Sequence, residues 1–175
     1  MRCFSLFLIG TSGSGKTTLA KALERRLNNE GLFNLQIIDG DELRGELGNL
    51  FGYTRTERMK QSHVVKTIAK YLNINNVNVI VAVVAPYEEM RQEFRAYLKE
   101  SYIEVFVKCS VEECARRDVK GYYAKSRNGE MRNLNGADDL YEKPITSDIV
   151  IDTEKTDVDD AVEEILRYLR EKTFM

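Results

Sequence analysis

The sequence predicts an α/β fold, a five-stranded and mainly parallel sheet with helices on both faces, and three observations carry that expectation. Five short apolar runs rich in β-branched residues recur along the chain. Segments of helical spacing alternate with them, the pattern of a parallel sheet. The first run ends in a glycine-rich turn that opens directly into a helix.

The elements follow in order. FSLFLIG (4–10) is a first buried strand, and KTTLAKALERRLNNEG is the helix after the turn. LQIID (35–39) is a second strand, ending in Asp39-Gly40-Asp41, with ELRGEL a short helix that Asp41 is placed to cap. A long helix runs from Thr56 to Asn73, then a strand in VNVIVAVVA (77–85) and a helix in EEMRQEFRAYLKE. IEVFVK (103–108), VEECARRD, DIVID (148–152) and VDDAVEEILRYLREK complete the alternation. The rhythm breaks only from Val119 to Thr146, a polar segment with glycines, bases and tyrosines and no strand-like run. A long stretch outside the core of a compact domain is usually functional, so residues 119–146 are expected to form a mobile lid over a ligand.

Composition narrows the class. At 175 residues and 43% hydrophobic content, residues 1–175 form one domain with one sizeable core. Charged residues make up 31% of the chain yet nearly cancel, to a formal net charge of -2, which argues against nucleic-acid and membrane partners. Cys3, Cys109 and Cys114 lack the paired spacing of a zinc site or a disulfide framework and read as reduced thiols. The apolar opening flows into GTSGSGKTT where a signal peptide would need a cleavage site, so a cytoplasmic protein is expected. No apolar stretch approaches the roughly 20 residues of a membrane span.

The turn itself is specific. Gly10-Thr11-Ser12-Gly13-Ser14-Gly15-Lys16-Thr17 matches G-x-x-x-x-G-K-[ST] between a strand and a helix, the mark of a P-loop NTPase fold. Glycines let successive N–H groups wind round phosphate oxygens, and the helix N-terminus adds partial positive charge. ATP is therefore the expected cofactor, held by Gly10, Ser12, Gly13, Ser14, Gly15, Lys16, Thr17 and Thr18. Lys16 reaches the β- and γ-phosphates and Thr17 offers its hydroxyl to Mg²⁺.

Opposite that loop, strand ends converge on one crevice, which brings in Asp39 and Asp41. A carboxylate there can take a proton from an attacking hydroxyl, or hold Mg²⁺ through water. Arg44, three residues after Asp41, faces the same way, and Arg58 starts the next helix. Two arginines beside an ATP site suggest an acceptor with anionic groups of its own.

Nearly the whole chain resembles the adenylylsulfate kinase family, which transfers the γ-phosphate of ATP to the ribose 3'-hydroxyl of adenylyl sulfate. The blocks GTSGSGKTT, DGDELR, GYTRTER, APYEEMR, IEVFVKCSVEECARRDVKGYY and LNGADDLYEKP carry the resemblance in series. It implies a P-loop kinase with a mobile lid, Asp41 with Asp39 at the 3'-hydroxyl, and Arg44 and Arg58 on the acceptor's diphosphate-like part. It also implies Arg117 and Lys120 on the ATP side, and it leaves a homodimer open.

Departures from the family gather on the acceptor side. Where the family usually has an asparagine and an arginine, this chain has Gln61 and His63; Leu134 replaces an aromatic of F-T-G-I-D, and Tyr53 a phenylalanine. A base that loses a stacking face forfeits about 1 to 3 kcal/mol. Tyr53, Gln61, His63 and Leu134 therefore join the acceptor-binding set, with His63 touching or supporting the nucleoside. The expected acceptor is cytidine diphosphoramidate, as used in capsule phosphoramidate biosynthesis, with adenylyl sulfate as the alternative. A nucleotide-binding switch or assembly ATPase is the remaining class. Against it, the third strand ends VVAPY without a magnesium-binding carboxylate.

Overall fold

The computed structural model describes residues 3–137 and 139–175. Asp138, the last residue of the LNGAD block, lies outside the described residues. The elements are β1 (Ser5–Ile9), α1 (Lys16–Asn29), β2 (Leu35–Asp39), α2 (Gly40–Glu46), α3 (Arg55–Ile74), β3 (Asn78–Val83), α4 (Glu88–Leu98), β4 (Tyr102–Lys108), α5 (Val111–Arg117), α6 (Tyr122–Arg127), β5 (Ile149–Asp152) and α7 (Val158–Glu171). All five expected strands form, and every pairing between them is parallel. The order is β2-β3-β1-β4-β5.

Strand β1 is buried along its whole length because helices cover both faces. Its alternation divides the core. Leu6 and Leu8 pack with Leu19, Leu23 and Leu27 of α1 and Ile165, Leu166 and Leu169 of α7. Phe7 and Ile9 pack on the other face with Val65 and Ala69 of α3 and Met90 and Phe94 of α4. The connections leaving β1 and β3 thus run over opposite faces, and a crevice opens at the strands' carboxyl ends.

Two expectations need correction. Asp39, rather than Asp41, caps α2: its carboxylate accepts from the N–H groups of Asp41 and Glu42 and the helix begins at Gly40. The cap sits on the last strand residue because Asp39 keeps extended dihedrals (φ -90°, ψ 128°) and the helical ones begin at Gly40. The segment 119–146 has a small core of its own rather than none. It contains α6, and Tyr123 and Leu134 pack with Cys114 of α5, all nearly inaccessible to solvent. These apolar residues are too scattered in sequence to show a period. Cys3, Cys109 and Cys114 are free thiols. Among the described residues, no helix is long and apolar enough to cross a membrane.

Candidate functional site

A cavity of about 500 Å³ lies where the phosphate loop, α2, the first turns of α3 and the residues after β3 and β5 meet. The loop's glycines are sterically required at two points. A Cβ on Gly10 (φ 151°) would fall 2.5 Å from the Val107 carbonyl oxygen, and one on Gly13 (φ 82°) 2.9 Å from that of Cys114. The loop is braced from behind: the Tyr123 hydroxyl donates to the Ser12 carbonyl at 3.0 Å, and the Thr153 hydroxyl donates to the Ser14 carbonyl at 3.0 Å. Gly15, in the left-handed region, caps α1 without a side-chain bond, so Lys16, Thr17 and Thr18 begin the helix at the cavity wall.

Lys16 is buried, and its Nζ donates to the Thr11 carbonyl at 2.7 Å. Burial pulls its ammonium down to about 8, against the opposing charge of Asp41. The Thr17 hydroxyl donates to Asp39 Oδ2 at 2.7 Å. Burial alone would raise the Asp39 carboxyl; the Thr17 hydroxyl, the N–H groups of Asp41 and Glu42 and the charge of Lys120 together hold it below the usual range. A hydroxyl and a carboxylate at hydrogen-bond distance are hard oxygen donors of the kind Mg²⁺ takes alongside phosphate and water.

Asp41 and Arg44 both line the cavity. Lys120 reaches across from the 119–146 segment and pairs with Asp41 Oδ2. Burial opposes the charge of Lys120, but the Asp41 partner keeps its ammonium above the ordinary value. Arg117 joins Glu113 at 2.8 Å and Thr153 at 3.1 Å on the same wall. Thr153 was missed in the sequence; its one signal is its place immediately after the last strand, where crevice residues fall.

On the other side, α3 turns Arg58, Gln61, Ser62 and Val65 inward, an i, i+3, i+4, i+7 stripe. The buried Arg58 donates to the Tyr53 carbonyl at 2.9 Å and to the Asn133 carbonyl at 2.8 Å, and burial lowers its pKa. Arg44 donates to the Phe51 and Gly52 carbonyls and to Gln61 Oε1. Its buried Nε has no hydrogen-bond partner among the described residues. The Tyr53 ring faces both guanidinium groups, 4.5 Å from Arg44 and 5.2 Å from Arg58.

Three expected acceptor readers are placed otherwise. His63 is exposed, and its Nε2 lies 3.0 Å from Glu93 Oε2 of α4. Two residues beyond Gln61, it is turned about 200° around the helix, away from the cavity. Gln61 is buried and already spends both ends of its amide, accepting from Arg44 and donating to the Gly40 carbonyl at 2.7 Å. Leu134 is closed into the cluster with Cys114 and Tyr123 and is not part of the cavity wall.

Comparison with known proteins bears on the acceptor expected from these substitutions. The family model described as adenylylsulphate kinase matches residues 2–152. An adenylyl-sulfate kinase of Staphylococcus epidermidis is 38% identical over 171 residues, covering 97% of this chain and 85% of the relative. One of Halothermothrix orenii is 36% identical over 171 residues, covering 98% and 91%. Among solved structures, the APS kinase CysC of Mycobacterium tuberculosis, in complex with AMPPNP and APS, superposes with a TM-score of 0.89 at 30% identity, covering 97% of this chain and 98% of that one. These relatives overturn the expectation of cytidine diphosphoramidate and capsule biosynthesis: they are adenylyl-sulfate kinases, and the three substitutions behind that expectation fall outside the cavity or are engaged within the protein. With the family model matched over most of its length, the chain is an ATP-dependent phosphotransferase with an alcohol group as acceptor and belongs to the adenylylsulphate kinase family.

Proposed function

We propose that the protein transfers the γ-phosphate of MgATP to the ribose 3'-hydroxyl of adenylyl sulfate, yielding ADP and 3'-phosphoadenylyl sulfate. The observation that carries this reading is the shared face of α2. Asp41 and Arg44 line one cavity with Lys16, and Arg44 keeps a buried Nε without a hydrogen-bond partner among the described residues. A buried cation with a spare donor suits an anionic acceptor. A carboxylate one turn away suits its hydroxyl.

In the proposed reaction the 3'-oxygen bonds to the γ-phosphorus as the bond from that phosphorus to the β,γ-bridging oxygen breaks. The hydroxyl proton passes to Asp41. Lys16 and the loop N–H groups hold the phosphates, while Arg44 and Arg58 hold the phosphosulfate. Thr17 and Asp39 would hold Mg²⁺, which when bound neutralises charge on the transferring phosphates. Residues 119–146 act as the lid of this single kinase domain. Lys120 must leave Asp41, and Arg58 must leave the Asn133 carbonyl, before both groups face substrate.

The test is a comparison of kcat/KM for adenylyl sulfate, AMP and cytidine diphosphoramidate with MgATP, products being separated by ion-exchange chromatography. Adenylyl sulfate is expected to exceed both others by at least about tenfold, near 1.4 kcal/mol of differential transition-state binding. Equal or faster turnover of either other nucleotide sinks the reading.

A further inference from the structure

We infer that Tyr123 and Thr153 are positioning residues for nucleotide capture: by pinning the carbonyls of Ser12 and Ser14, they aim the N–H groups of Gly13 and Gly15 at the phosphates. The inference rests on ATP's phosphates lying on the loop, as in the reading above, and is independent of which acceptor is used. A glycine-rich loop holds an anion only while its N–H groups converge. Glycine is also the residue with the greatest freedom to turn them elsewhere, and Gly10, Gly13 and Gly15 all have positive φ. Something beyond the loop must fix its peptides.

In a trans peptide the carbonyl and the following N–H point in opposite directions, so fixing one fixes the other. No described peptide bond is cis. The Tyr123 hydroxyl donates to the Ser12 carbonyl at 3.0 Å, which turns the Gly13 N–H away from Tyr123. The Thr153 hydroxyl donates to the Ser14 carbonyl at 3.0 Å and does the same for the Gly15 N–H. Gly13 and Gly15 both line the cavity, whereas Tyr123 lies behind the loop in the cluster with Cys114 and Leu134. Both side chains are themselves held. The Asp118 carboxylate accepts from the N–H groups of Tyr123 and Ala124 at 3.0 and 2.9 Å, fixing the start of α6. The Thr153 N–H donates to the Lys108 carbonyl at 3.0 Å, and its carbonyl accepts from Arg117 Nη2 at 3.0 Å. Arg117 Nη1 donates to the Thr153 hydroxyl oxygen at 3.1 Å, which leaves the hydroxyl proton for Ser14. Two separate parts of the fold, the 119–146 segment and the turn after β5, thus each set one peptide of the loop.

Three substitutions test this. Tyr123→Phe and Thr153→Val each remove a hydroxyl and keep the bulk of the side chain, and Thr153→Ser keeps the hydroxyl. Calorimetry would follow binding of MgADP and of magnesium tripolyphosphate, which has phosphates but no base. Each hydroxyl deletion is expected to weaken both ligands by the same factor, about fivefold, while Thr153→Ser binds as the native protein does. In amide NMR spectra of the MgADP complexes, the Gly13 signal should move in Tyr123→Phe and the Gly15 signal in Thr153→Val. A purely structural role would lower the Tm and leave these affinities and signals in place. Affinity within about twofold of native in either hydroxyl deletion would overturn the inference, as would equal losses in Thr153→Ser and Thr153→Val. A loss in Thr153→Val with MgADP but not with tripolyphosphate would also overturn it, since the effect would then pass through Arg117 to the base. If the unsubstituted protein binds MgADP but not tripolyphosphate, the placing of phosphates on the loop fails, and the inference with it.

Discussion

Raising the pH should disarm the phosphate loop before it disturbs anything else in the site. Burial brings Lys16 to about 8 from the ordinary 10.5, so its charge is present below pH 8 and lost as pH rises through that value. ATP needs the charged form. One pH unit above the midpoint only about one-eleventh of the protein stays protonated, so kcat/KM for MgATP should fall about tenfold at pH 9 relative to its plateau. This ratio reports the enzyme before nucleotide binds, when the Lys16 ammonium donates to the Thr11 carbonyl and the Ser14 hydroxyl. Lys120 cannot produce the same fall, since pairing with Asp41 moves it above its ordinary value despite its burial. The assay is initial rate against MgATP at constant adenylyl sulfate, from pH 7 to 9.5, for the native protein and for Lys16→Arg. The guanidinium stays charged throughout this window, so the arginine variant should have a lower plateau but no fall near pH 8. A flat native profile to pH 9.5, or an identical fall in Lys16→Arg, refutes the link between burial of Lys16 and nucleotide capture.

Two further outcomes are expected. Asp41→Asn should lose about 10²-fold or more in kcat while MgATP binding, measured by calorimetry, stays nearly intact; retention of more than about a tenth of native turnover excludes a general-base contribution of that size. Transfer should be direct, because Ala85, which lines the cavity two residues past the end of β3, offers no hydroxyl there to form a phosphoenzyme. Initial-rate patterns should therefore be sequential, and label isolated on the protein after incubation with γ-labelled ATP alone would count against it.

Much of the protein is local, and what is local was legible. The five strands are contiguous apolar runs, and the phosphate loop is eight adjacent residues whose glycines are needed for backbone conformations that other residues rarely adopt. The directions of Arg58, Gln61 and His63 were also partly legible. An inward stripe through residues 58, 61, 62, 65 and 69 leaves His63 on the opposite side, and that periodicity outweighs the chemical appeal of a lone histidine. Tertiary structure decided the rest. That Lys120 sits on Asp41 across 79 residues, that Arg58 is tied to Asn133 across 75, and that Leu134 closes a cluster with Cys114 depend on how the 119–146 segment folds back over the strand ends. No spacing rule reaches that far, because such contacts arise from packing and hydrogen-bond satisfaction between elements rather than from the period of any one of them. The same limit explains why Gln61 looked like a reader of substrate. Residue type shows what an amide can bond, and only the approach of α2 to α3 shows that both of its ends are already engaged.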